Sequence, residues 1–116
     1  MMFKFEQLDV WKLSVDIHRK IAAATERLQT RRQLFLVDQI RRAALSISAN
    51  IAEGTGREGV RESKQFFNIA KGSTYEVVSI AHILRQENLL QSEEFFEIYQ
   101  MFDRIAKMLS GLIAKR

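Results

Sequence analysis

Apolar residues recur at steps of three and four along almost the whole chain, and no proline interrupts them. That spacing lays one oily stripe along one side of a helix, and no segment alternates for long at the two-residue period of a strand. Four stripes emerge. The first is Val10, Ile17, Ile21, Ala24 and Leu28, with Asp9 the expected N-cap. The second is Val37, Ile40, Ala44, Ile47 and Ile51, and the third is Phe67, Ala70, Thr74, Val77, Ala81 and Leu84. The fourth begins at Ser92, whose hydroxyl is expected to cap, with Glu93 and Glu94 favouring the positive helix end. It continues through Phe95, Ile98, Phe102, Ile105, Leu109 and Leu112, and Lys115 and Arg116 suit its C-terminus. Helices of roughly 20 to 25 residues are ~30–38 Å long. Short connections near residues 29–33 and 88–91 make neighbours antiparallel. The expected fold is all-α, an up-down four-helix bundle forming a single domain over residues 1–116.

With 47% hydrophobic residues the chain can fill one core, and with 28% charged residues it resembles neither a disordered nor a membrane protein. No run approaches the roughly 18 consecutive apolar residues of a transmembrane helix, and the start lacks a secretory h-region. Zero cysteines remove disulfides, thiolate zinc sites and cysteine nucleophiles together. A cytoplasmic protein with no membrane partner is the expectation.

The net charge of +4 is unevenly placed. Residues 27–64 hold eight basic side chains against four acidic ones, while the stretches before and after are each neutral. Seven of the eight cations are arginine. Such a segment suits phosphate oxygens, and Arg31, Arg32, Arg41, Arg42, Arg57, Arg61 and Lys64 are the candidate nucleic-acid-binding residues. It equally suits a soluble face with partly paired charges. Aromatic residues are read as not interleaving with these arginines, which disfavours a base-stacking single-strand platform.

Within "NIAEGTGREGV", Gly54, Gly56 and Gly59 match G-x-G-x-x-G, the dinucleotide spacing. That fingerprint needs a strand before it, and here a helical stripe ending at Ile51 precedes it. Gly54 is instead expected to end the second helix as a left-handed C′ residue, with Gly56 and Gly59 turning the chain. Gly72 inside the third helix costs about 1 kcal/mol relative to alanine. Close approach to the slim second helix, rich in alanine and serine from Ala43 to Ala52, would offset it. Arg42, Ser46, Asn50, Glu53 and Arg57 share a sector of about 80° opposite the apolar stripe. Serine and asparagine are poor mid-helix choices for a merely solvated face, so this one is expected to touch a helix, a subunit or a ligand. Ser46, Asn50, Glu53, Ser73 and Glu76 form the candidate structural polar network. On the first helix a second stripe of Leu8, Trp11, Val15 and Ala22 widens the core face or meets another subunit.

No catalytic, cofactor or metal site is expected. His18 and His82 stand alone on their helices, without the E-x-x-H pairs of metal-binding bundles. Glu53 and Glu76 alone make a weak site, and no G-x-S-x-G elbow occurs.

The run "QIRRAALSISANIAEGTGR", followed by "FFNIAKGSTYE", resembles the four-helix-bundle proteins encoded in intervening sequences of bacterial 23S rRNA genes. The same superfamily includes accessory proteins of diversity-generating retroelements. The likeness extends from "LDVWKLS" to "IAKMLSGLI" and is densest at Gln39, Arg41, Arg42, Ala43, Ser46, Ile47, Asn50, Ile51, Ala52, Glu53 and Gly54. Ser48, where many members have proline, and Leu28-Gln29, where many have Phe-Pro, depart from it. The resemblance implies an up-down bundle, assembly as a homopentamer and no established catalytic activity. The expected function is a non-catalytic oligomeric protein contacting RNA or DNA backbone through the arginine-rich segment. The alternative is a protein-only scaffold docking a partner enzyme such as a reverse transcriptase.

Overall fold

The computed structural model describes residues 2–115. It contains α1 (Asp9–Thr25), α2 (Arg31–Thr55), α3 (Val60–Gln86) and α4 (Ser92–Lys115), preceded by a 3-10 turn at Lys4–Gln7. No strand occurs among the described residues. Each helix packs on two neighbours, in the cyclic order α1, α2, α3, α4. The molecule measures 44 × 23 × 21 Å, one long helix by two helix widths.

The stripes supply the core. Ile17 and Ile21 of α1, Ile40, Ile47 and Ile51 of α2, Val77 and Leu84 of α3, and Phe102, Ile105 and Leu109 of α4 are closed to solvent. The second stripe of α1 is half-buried throughout. Trp11 packs against the core and meets Phe5 edge-on at 4.9 Å, so the 3-10 turn supplies part of its cover within the same chain.

The helix ends differ from expectation in four places. Asp9 is the first helical residue of α1, and extended Leu8 occupies the cap position without a side-chain bond. At α4 the capping falls to Glu94, whose carboxylate accepts the Gln91 amide at 2.9 Å. No glycine has a positive φ, because α2 runs on through Thr55 and ends at Gly56, whose φ is −80°. The left-handed cap lies instead at Asn88 (φ 62°), after α3. There the Leu89 amide donates to the Leu84 carbonyl at 2.8 Å and the Asn88 amide to Arg85 at 3.0 Å, the paired bonds of a Schellman motif. A further cap that the stripes did not reveal opens α2. The Thr30 hydroxyl accepts the Gln33 amide at 3.2 Å, and the Gln33 side chain accepts the Thr30 amide at 3.1 Å.

Gly54 serves space, not backbone freedom. It is buried inside α2, and a Cβ there would lie 2.5 Å from the Phe67 ring of α3. Gly72, where close approach was expected, is exposed and has nothing within 4 Å of that position. The tight contact between α2 and α3 therefore sits at the corner joining them.

Candidate nucleic-acid interface

The seven candidate cations do not converge. α2 and α3 are antiparallel, so Arg31 and Arg32 at the start of α2 lie at the opposite end of the bundle from Arg57, Arg61 and Lys64. The 25 residues of α2 separate the two groups by about 37 Å.

Four of the seven are already engaged. Arg41 turns toward α1, donating to the Ala22 carbonyl at 3.0 Å and to the Thr25 hydroxyl at 3.2 Å. That hydroxyl itself donates to the Ile21 carbonyl, so Arg41 helps satisfy polar groups in the last turns of α1. Arg32 forms a two-pronged bond with Glu87 at 3.2 and 2.5 Å, which holds the guanidinium protonated to higher pH than usual. Arg42 pairs with Asp38 one turn away at 3.0 Å. Arg57 pairs with Glu53 at 2.8 Å and lies 4.9 Å over the Phe66 ring. Among the described residues Arg31, Arg61 and Lys64 have no carboxylate within ion-pair distance; the two arginines are exposed and the lysine is half-buried.

These commitments are unequal. Exposed ion pairs contribute only about 0–1 kcal/mol, so Arg32, Arg42 and Arg57 can exchange a carboxylate for a phosphate at small cost. Arg41 leaves only by giving up two part-buried hydrogen bonds to the end of α1, a larger loss than an exposed ion pair. The usable cations are thus six: Arg31 and Arg32 at one end, Arg57, Arg61 and Lys64 at the other, and Arg42 near the middle of α2.

The polar sector of α2 divides as well. The Ser46 and Ser73 hydroxyls share a hydrogen bond of 2.9 Å across the α2–α3 seam. The Asn50 amide donates to the Ser46 carbonyl and hydroxyl at 2.8 and 3.0 Å. Glu53 stands apart with Arg57, and Glu76 is exposed and unbonded. Three of the five candidate residues meet at a helix contact.

Two features escaped the sequence reading. Arg27 clasps three elements: it donates to the Ala24 carbonyl at 2.8 Å, the Leu89 carbonyl at 2.9 Å and the Glu94 carboxylate at 2.9 Å. Burial works against the ionised form of Glu94, but the Gln91 amide and Arg27 outweigh it and hold this carboxyl below the usual range. The second feature is an aromatic groove of about 280 Å³ between α3 and α4, lined by Tyr75, Val78, Tyr99, Phe102 and Asp103. Beside it His82 meets Phe95 edge-on at 4.9 Å and Tyr99 at 6.1 Å. No group of three or more metal-ligating side chains occurs among the described residues. Among the described residues no helix is long and apolar enough to cross a membrane.

The arrangement defines a four-helix bundle with dispersed basic ends. The chain belongs to the family of 23S rRNA-intervening sequence proteins, whose family model matches residues 6–111. Its fold is similar to the crystal structure of a protein of unknown function from the S23 ribosomal protein family of Bacteroides thetaiotaomicron. The two share 23% identity with a TM-score of 0.83, over 90% of this chain and 97% of the other. No curated protein matches.

Proposed function

We propose that the protein is a non-catalytic homo-oligomer that binds RNA or DNA through phosphate contacts. The observation that carries this reading is the set Arg31, Arg61 and Lys64, which lack carboxylate partners within the segment that holds the whole positive excess. One subunit offers too few cations at either end for tight binding. An assembly repeats them, and repeated weak contacts multiply. A pentamer is the assembly that the family resemblance implies. The half-buried second stripe of α1 and the exposed Leu45 of α2 supply apolar surface for it.

Affinity for a nucleic acid is expected to fall steeply with added salt, because each neutralised phosphate releases counterions. Replacing Arg31, Arg61 and Lys64 together by glutamate should flatten that slope and weaken binding while leaving the helical circular dichroism unchanged. Flat salt dependence of the wild type, or affinity that survives the triple change, removes the reading. Light scattering tests the assembly independently.

The exposed aromatic residues Tyr75, Phe96 and Tyr99 favour a second reading, a protein scaffold that docks an enzyme. Absorbance of the purified protein separates the two. Carried nucleic acid raises the ratio of 260 to 280 nm, whereas a co-purifying protein leaves it low.

A further inference from the structure

We propose that Phe35 is a stacking platform set among the arginines of α2, so that the nucleic acid taken at this end is single-stranded or looped. The inference rests on the phosphate-binding reading and adds the form of the ligand. Phe35 is 65% exposed although it is a large apolar side chain on a helix with an ample buried face. It follows Arg31 by four residues and precedes Arg42 by seven. At 100° per residue the three side chains fall within a sector of roughly 40°, with axial steps of about 6 and 10 Å. Arg32 lies one turn before Phe35 on the adjoining flank, its side chain 73% exposed. Asp38, the carboxylate on this stretch, is tied to Arg42. A phenyl ring therefore stands in solvent between guanidinium groups. Aromatic residues do interleave with the arginines here, contrary to the sequence reading.

Other exposed aromatic residues lack this setting. Phe96 lies in a surface hollow with Glu93 and Glu97, and the exposed Tyr75 and Tyr99 line the groove that holds Asp103. The residues lining these hollows hold three carboxylates, Glu93, Glu97 and Asp103, against one cation, Arg104. Phe3 stacks on Phe5. Phe66, the aromatic at the other basic end, is half-buried beneath Arg57. Phe35 combines an open face with flanking positive charge.

That combination selects unpaired bases. Duplex hides the faces of its bases in the stack, and opening a step costs a few kcal/mol. A single strand or a loop presents its faces free, and a base laid on an aromatic ring is held whatever its identity. The arginines on either side then take the phosphates that flank the stacked base.

The test measures fluorescence anisotropy at one low salt concentration, with a labelled oligothymidine and with a labelled duplex of equal length. Phe35→Ala should weaken the single strand about tenfold and leave the duplex within twofold. Phe35→Trp should retain single-strand affinity. The salt slope should stay that of the wild type, since no charge is removed. Unchanged single-strand affinity of Phe35→Ala, or equal losses on both probes, overturns the stacking role and leaves phosphate binding standing. A change of oligomeric mass in Phe35→Ala assigns the ring to a subunit contact and also overturns it. Failure of the wild type to bind either probe sinks the phosphate-binding reading itself, and this inference with it.

Discussion

The α2–α3 seam and the α1–α4 seam hold the same bundle together by opposite means. Between α2 and α3 the side chains are small and the contact is close. Gly54 lies against the Phe67 ring, Ser46 bonds Ser73, and the fully buried Ser63 hydroxyl donates to the Gly54 carbonyl at 2.7 Å. Between α1 and α4 long charged side chains bridge the gap at the surface. Lys20 pairs with Glu97, and Arg27 on the loop after α1 pairs with Glu94 at 2.9 Å. A close seam resists any added atom, because interiors are packed like organic crystals and relax little. A bridged seam tolerates change, because exposed ion pairs contribute little and water replaces them.

The contrast predicts a graded series. Gly54→Ala forces a methyl group into Phe67 and should cost about 1–3 kcal/mol, seen as a lower urea midpoint. That is the net cost, after the better helix propensity of alanine, about 1 kcal/mol, has offset part of a larger clash. A midpoint at or above wild type would break the comparison at its strongest point. Ser63→Ala should cost about 1 kcal/mol, the usual net worth of a buried hydrogen bond. Gly72→Ala sharpens the picture by its sign. With open space around it, alanine should raise stability by about 0.5–1 kcal/mol on propensity alone. On the other seam, a double-mutant cycle on Lys20 and Glu97 should return a coupling of only about 0.2–1 kcal/mol.

Acid titration probes the same seam. Because the folded state holds the Glu94 carboxyl below its usual range, its stabilising contribution is whole above about pH 4.3 and fades as pH falls through the lowered value. Glu94→Gln should therefore lose part of the wild-type stability at neutral pH and show a shallower decline below pH 4.3. An acid limb as steep as that of the wild type would place the titration elsewhere.

The stripes made the fold legible, since buried positions at helical spacing leave a periodic mark that polar surface cannot counterfeit. Every residue of the α2 and α3 stripes is buried. Glycine leaves no such mark. It looks alike in sequence whether it supplies a left-handed turn, as expected of Gly54, or the room for a ring 13 residues further on, as found. Only the partner helix decides, and Gly72 was misjudged for the same reason. Arg41 was equally opaque, because its engagement depends on the polar groups that end α1. Other features were within reach. Thr30 and Gln33 have the spacing of a capping box, Asn88 follows a helical stripe, and Phe35 falls roughly opposite Ala44 at 100° per residue.

The chain has one tryptophan, and its indole rests edge-on against Phe5 of the N-terminal turn. The emission of Trp11 is therefore an intrinsic optical gauge of whether that turn is docked. A red shift that precedes the loss of helical signal during denaturation would mark the leading segment peeling away before the bundle opens.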